Sequence, residues 1–282
     1  MRKLCHIGIL LCIIAVMAGT GCTEKKAVAV DSVGVDTIVE DSVPADTLEV
    51  LLNEQPMPKA ADELFDDFFF NYAANRKLQR ERTDFPLPCE MYGKTSMRQK
   101  KDWGVERFFM KQGYYTLVFN SRKQLNVVKD TSVAHVTVER ISFDDDKLEQ
   151  WHFNRVDGLW RLQKMARKAI REHSDAEFLK FYQHFATDSV FQQESLAELV
   201  AVSAPDPDDD FSRMDGSVMP EQWPMFAPWM PSGQLYNIHY GSAPYKPSTE
   251  RIFVIRGIAN GVETELTFKR NGSSWQLVRM ES

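Results

Sequence analysis

The sequence predicts an α+β protein built from two tandem repeats, each an N-terminal helix with short helices packed on a curved, mostly antiparallel sheet. Three observations predict it. An aromatic helix face occurs as Phe65, Phe68, Phe69 and Tyr72, and again 113 residues on as Phe178, Phe181, Tyr182 and Phe185. A middle set, Trp103, Met110 and Gly113, returns 120 residues on as Trp223, Met230 and Gly233. A closing set, Phe153, Arg155, Trp160, Leu162 and Met165, returns 115 residues on as Phe268, Arg270, Trp275, Leu277 and Met280. Three sets in one order at nearly constant offsets keep a register that chance matches do not, so a duplicated segment is expected.

In chain order, Arg2 and Lys3 precede an apolar run from Ile7 to Ala18, and Gly19, Thr20 and Gly21 lead into Cys22. That layout predicts a secretory signal over residues 1–21. The run is about a dozen residues, short of the roughly 20 that a membrane-spanning helix needs. A cysteine after small residues resembles the lipobox of bacterial lipoproteins, with Gly19 standing where that pattern usually has Leu or Val. The resemblance implies acylation of Cys22, a stable membrane anchor, and a place in the cell envelope on the periplasmic side or the outer-membrane surface. Residues 22–60 are polar and acidic, with Val-Asp steps at Val30-Asp31 and Val35-Asp36. Such a stretch cannot bury a core, so a flexible tether is expected.

The formal net charge of -6 becomes -8 once Arg2 and Lys3 leave with the signal, and no Lys/Arg-dense stretch is interleaved with aromatics. Nucleic acid is therefore not an expected partner. Cys5 and Cys12 depart with the signal, which leaves Cys89 alone beside the anchor cysteine and excludes an internal disulfide. Cys89 follows Phe85-Pro86-Leu87-Pro88 with no local base and reads as a small hydrophobe.

The two domains are expected over residues 61–170 and 171–282. Phe65 to Tyr72 and Phe178 to Phe185 place rings at i, i+3, i+4 and i+7, the apolar stripe of a helix. Strands are expected at about residues 115–119, 133–143, 147–156 and 159–165, and again at about 235–240, 251–258, 262–270 and 275–280. Asp157-Gly158 and Asn271-Gly272 are dipeptides suited to tight hairpin turns, while Asp144-Asp145-Asp146 and Asn260-Gly261 mark the preceding ones. Helices first and antiparallel strands later make each copy α+β, with helices on one sheet face.

An aromatic-faced first helix followed by a bent sheet that ends in a Trp-bearing hairpin (Trp160, Trp275) resembles the nuclear-transport-factor-2-like fold. The stretch from Phe65-Asp66-Asp67-Phe68 through Asn75-Arg76-Lys77-Leu78-Gln79-Arg80-Glu81-Arg82 to Phe85-Pro86-Leu87-Pro88 also looks like a family of gut-bacterial lipoproteins with that fold. The resemblance covers roughly residues 60–282. It implies a cone-shaped domain with a cavity between helix and sheet, used in different relatives for catalysis, ligand binding or protein contact. The fold alone assigns no activity.

Aromatic side chains are the candidate ligand-binding residues: Tyr72, Trp103, Tyr115, Tyr182, Trp223 and Tyr236, with Trp229 and Tyr114 beside them. At these spacings the same rings also serve as core. Asp66, Asp67 and His152 are the candidates for general acid/base work. Their counterparts are Leu179, Lys180 and Thr267, so no acid/base pair recurs and any active site belongs to one copy. Asp206, Asp208 and Asp210 start a calcium-loop pattern that fails at Phe211, where Gly is needed, and at Ser217, where Glu is needed. A solvated, Pro-rich acidic insertion is expected there. His135, His173, His184 and His239 lack zinc-ligand spacing, and no glycine-rich phosphate cradle follows a strand, so neither metal nor other cofactor is expected. Arg76, Lys77, Arg80 and Arg82 could grip an anion, or could complement the dipole at a helix C-terminus.

The expected function is an envelope lipoprotein with a non-catalytic binding role, for a small ligand or a protein partner. The alternative is a cavity enzyme of hydrolase, isomerase or dehydratase type with one active copy.

Overall fold

A computed structural model describes residues 57–241, 248–258 and 260–282, all within one compact unit spanning Val43–Ser282. The expected signal, Cys22 and most of the expected tether lie outside the described residues. No described helix is long and apolar enough to cross a membrane.

Helix α1 (Phe65–Ala74) forms where the ring spacing predicts and buries Phe65, Phe68, Phe69, Tyr72 and Ala73. It stops sooner than the sequence reading expects. Asn75 is extended (φ -114°, ψ 109°), and its Oδ1 accepts the Leu78 N–H at 2.9 Å, starting α2 (Arg76–Glu81). Asn competes with the helix for its own backbone and is a favoured N-cap. The second half repeats the break: α3 (Ala176–Thr187) ends at Asp188, whose Oδ1 accepts the Val190 and Phe191 N–H groups and starts α4 (Ser189–Glu194). Arg76, Lys77 and Arg80 therefore sit on a separate short helix rather than at a long helix's C-terminus. Arg82 comes just after it and pairs with Asp62.

The strands are β1 (Leu87–Met91), β2 (Lys94–Arg98), β3 (Tyr114–Phe119), β4 (His135–Ser142), β5 (Lys147–Val156) and β6 (Leu159–Lys168). The second half supplies β7 (Leu196–Asp206), β8 (Asp209–Val218), β9 (Gln234–Tyr240), β10 (Glu250–Gly257), β11 (Glu263–Asn271) and β12 (Ser274–Glu281). All of them join one 12-stranded sheet in the order β2-β1-β6-β5-β4-β9-β3-β10-β11-β12-β7-β8. Read from either end, each strand meets its counterpart six strands away in the chain. At the centre the halves interleave: β9 pairs with β4, β3 pairs with β10, and β3 meets β9 in parallel at Thr116 and Asn237. The segments 61–170 and 171–282 thus do not complete their sheets separately.

Two hairpins went unread in the sequence. Pro88 lies inside β1, and Pro205 with the aspartates disguises β7 and β8. The expected acidic insertion is a hairpin, with Asp206 paired to Asp209 and its Oδ1 accepting the Asp208 N–H at 2.9 Å; the Asp210 side chain lies outside the described residues. Asp157 (φ 50°) and Gly158 (φ 78°) make the expected two-residue turn. In the other half Asn271 is still paired, to Ser274, so the turn falls one residue later on Gly272 (φ 60°) and Ser273. Matching bulges at His152/Phe153 and Thr267/Phe268 bend both arms of the sheet.

Side chains alternate across a strand, so neighbours on β10 serve different cores. Ile252 and Val254 belong to one core with Phe65, Phe68, Phe69, Trp151 and Phe153, while Phe253 and Ile255 belong to a second with Phe178, Tyr182, Phe185 and Phe268. The two cores therefore lie on opposite faces of the sheet. Cys89 is buried in the first.

Candidate functional site

All six candidate rings are buried. Tyr72, Trp103, Tyr115 and Tyr236 lie in the first core, and Tyr182 and Trp223 in the second. The space between α1 and the sheet is filled by Phe65, Phe69, Tyr72, Phe108 and Phe153, with ring centroids 4.9–6.2 Å apart. Tyr72 shares a 2.9 Å hydrogen bond with the Thr83 hydroxyl, Tyr182 donates to the Pro231 carbonyl at 2.9 Å, and the Trp223 indole donates to Gln192 Oε1 at 2.8 Å. Tyr115 and Tyr236 differ, because their hydroxyls reach charged groups.

One of those groups is Asp66, a sequence candidate in the first turn of α1. Its carboxylate accepts from the Tyr240 hydroxyl and, at 3.3 Å, from the Tyr115 hydroxyl. Arg256 stands 3.9 Å from it, donates to the Tyr115 oxygen at 3.4 Å, and is itself held by Glu263. Burial raises the Asp66 carboxyl above the usual range, against the pull of Tyr240, Arg256 and Tyr115. With 19% of its side chain exposed, Asp66 sits at the edge of the first core. Tyr240 and Arg256 were not foreseen: they arrive on β9 and β10, and Tyr240 lies 174 residues from Asp66. Asp67, one residue on, is exposed. Next to this network Tyr236 accepts from Arg140 at 3.1 Å, and Arg140 also grips Glu149.

The opposite sheet face carries a polar grid that only the pairing register reveals. Gln150, His152 and Asn154 on β5 stand opposite Glu139, Thr137 and His135 on β4, and Glu139 and Thr137 stand opposite Asn237 and His239 on β9. With His173 from the linker, four of the chain's six histidines gather here. Thr137 Oγ1 links His152 Nδ1 at 3.0 Å with His135 Nε2 at 3.4 Å. Burial, with repulsion from His135 and Lys164, lowers His152 to about 4 and keeps it neutral near pH 7. His152, the third acid/base candidate, thus shares neither a face nor a network with Asp66.

Glu139 is almost fully buried, and burial opposes its charge. His173, whose Nε2 lies 3.1 Å away, the nearby His239 and Asn237 Nδ2 (2.8 Å) reverse that and hold the carboxyl well below its usual range, and Gln150 Nε2 also donates to it at 2.8 Å. Glu139, His173 and His239 each offer a ligand atom within 4.8 Å of the others, the donor types of a divalent transition-metal site. The tautomer argues against that use. His173 Nδ1 accepts the Asp175 N–H at 2.9 Å, so the ring proton sits on Nε2, directed at Glu139. A metal on Nε2 would move that proton to Nδ1, where the Asp175 N–H already points. As built, the Glu139–His173 hydrogen bond ties the linker to β4.

Accessible concavities lie outside the cores. A groove of about 460 Å³ runs between α3, α4 and the β11–β12 turn, lined by Phe181, His184, Phe191 and Trp275 with Glu177 and Lys180 at its polar edge. His184 stacks on Phe191 at 3.7 Å. A second groove of about 380 Å³ is lined by Arg76, Lys77, Arg80, Glu81 and Lys100.

A family model described as a domain of unknown function, DUF4348, matches residues 44–282. Among solved structures, the crystal structure of an NTF2-like protein from Bacteroides fragilis NCTC 9343 is 37% identical, with a TM-score of 0.72 over 80% of this chain and 98% of that one. No curated protein matches the chain. The mixed α+β architecture, with few helices on one large curved sheet, is accordingly NTF2-like.

Proposed function

We propose, from the premise that this chain belongs to the DUF4348 family, that it is an envelope lipoprotein with a non-catalytic binding role. Cys22 carries the anchor, the acidic stretch from there to about residue 60 forms the tether, and the body binds a small amphipathic ligand or a partner protein. The groove between α3 and α4 carries this reading. It is accessible, ringed by Phe181, His184, Phe191 and Trp275, and flanked by a few charges, the mix that small-ligand sites use. Native mass spectrometry of the protein released from membranes tests it. A bound mass carried by the natural protein and lost on Phe191→Arg supports the reading; identical spectra for both proteins refute it. Acyl labelling tests the anchor separately, since incorporation that persists in Cys22→Ala would place the lipid elsewhere.

The Asp66 network favours a second reading, an enzyme with one active copy. A carboxyl raised by burial, beside two tyrosine hydroxyls and an arginine, is suited to proton transfer. A turnover lost in Asp66→Asn while binding persists would support it. The matched offsets, the mirrored strand order and the matching bulges support a gene duplication in which the halves exchanged β3 and β9.

A further inference from the structure

Arg76, Lys77, Arg80 and Lys100 line one groove of about 380 Å³ in which Glu81 is the sole carboxylate. Among the described residues none of these four cations has a side-chain hydrogen bond or an ion pair. Several buried or half-buried arginines, by contrast, sit against carboxylates: Arg82, Arg140, Arg161, Arg251 and Arg256. Like charges held together without partners repel, so their convergence needs a cause.

The backbone imposes the convergence. The Asn75 cap starts α2, which turns Leu78 and Gln79 inward and leaves Arg76, Lys77 and Arg80 in solvent. Buried Gln79 then clamps the segment after Lys100: its Nε2 donates to the Glu106 carbonyl at 2.7 Å, and its Oε1 accepts the Glu106 N–H at 3.2 Å. The second half is an internal control. Asp188 caps α4 as Asn75 caps α2, and Gln192 is held as Gln79 is, through the Phe185 carbonyl and the Trp223 indole. Yet positions 113 residues on from Arg76, Lys77 and Arg80 are Ser189, Val190 and Gln193. The frame forms without a cation at any of them, so the fold does not require these charges.

We infer that this groove is a docking surface for the anionic phospholipid headgroups of the membrane to which the chain is tethered. The inference rests on the Cys22 anchor proposed above. Position supports it, because α1 and α2 come directly after the stretch that separates the folded body from Cys22. Each Lys or Arg near an anionic surface strengthens binding by about fivefold, so four supply about 10²–10³-fold. That is weak for a free protein, particularly an acidic one, and sufficient for one held at the millimolar effective concentration of a short tether. Docking would hold the body against the membrane with the α3–α4 groove free for its ligand.

Vesicle co-sedimentation tests this on the unacylated chain beginning at residue 23, which separates the groove from the lipid. Vesicles with about 30 mol% phosphatidylglycerol should retain the protein at least tenfold better than pure phosphatidylcholine, and the preference should vanish as salt rises from about 50 to about 300 mM. The variant Arg76→Glu/Lys77→Glu/Arg80→Glu, with unchanged circular dichroism, should lose the preference, and Ser189→Glu/Val190→Glu/Gln193→Glu should keep it. Equal retention on both vesicles, or a preference untouched by the first variant, overturns the inference. So does displacement of bound protein by millimolar inorganic phosphate, which would mark a site for the free ion. Acyl labelling of Cys22 reads the anchor independently, so an acylated chain with no charge-dependent docking leaves the anchor standing and removes the groove.

Discussion

The helix pair α1–α2 and its counterpart α3–α4 share a frame and differ in how that frame is tied down. Both begin after a buried aspartate, Asp62 and Asp175, placed 113 residues apart. Asp62 takes both terminal nitrogens of Arg82 at 2.8–2.9 Å from the end of its own helix pair, and also the Trp160 N–H at 3.0 Å. Asp175 takes Arg251 at 2.7 and 3.1 Å from β10 on the sheet, at a position where the first half has Val136. Both halves also lay an arginine over the hairpin tryptophan, Arg155 on Trp160 and Arg270 on Trp275. The carboxylate and the ring are kept, while the cation that answers the carboxylate is not. Packing constrains the first two; any arginine that reaches will do for the third.

The largest effect should separate those two ion pairs. Arg251 is 1% exposed, so Arg251→Met strands a buried Asp175 and should cost about 3–5 kcal/mol in denaturant unfolding. Arg82 is 15% exposed and Asp62 keeps the Trp160 N–H, so Arg82→Met should cost about 1–3 kcal/mol. Equal losses would break the comparison.

Next comes the pH response at His152, a residue without a titrating counterpart in the second half. Unfolded His152 takes up a proton near pH 6.5, whereas the folded ring resists it until about 4. Stability should therefore fall as the pH drops from 6.5 to 4, by up to about 3 kcal/mol, because the unfolded chain binds the extra proton across that window. His152→Asn should remove most of that loss in melts at pH 6.5 and 4.5; its counterpart Thr267 cannot titrate.

Tyr240→Phe removes a donor to the Asp66 carboxylate and should cost about 1.5–3 kcal/mol, against a near-neutral change at the matching Asn120. The smallest effect is expected at the exposed cations, where Arg76→Gln or Lys77→Gln should move stability by less than about 0.5 kcal/mol. A larger drop would make those charges part of the frame.

The helix faces, the Asp157-Gly158 turn and the later strands were legible because their signals are local: ring spacing, alternation and turn chemistry. Strand partners are not local. Nothing in Tyr114–Phe119 announces that it will pair with a strand more than 130 residues later, and its pairings with β10 and β9 bring Arg256 and Tyr240 to Asp66. Asp66 itself was legible as a carboxylate on an aromatic helix; its environment was not. The histidine grid was hidden for the same reason, since His135, His152 and His239 share a face only through the register of β5, β4 and β9. Capping residues were readable in kind, yet whether Asn75 bends a helix or rides on it depends on how Leu78 and Gln79 pack beyond it.

Interleaved central strands make each half an unfinished object. When β3 leaves the ribosome its neighbours β9 and β10 do not yet exist, and β4 waits as long for its second partner. Until the last third of the chain arrives, the nascent protein carries two open seams, and a polypeptide cut after residue 170 could close them only with the equivalent strands, β3 and β4, of a sister molecule.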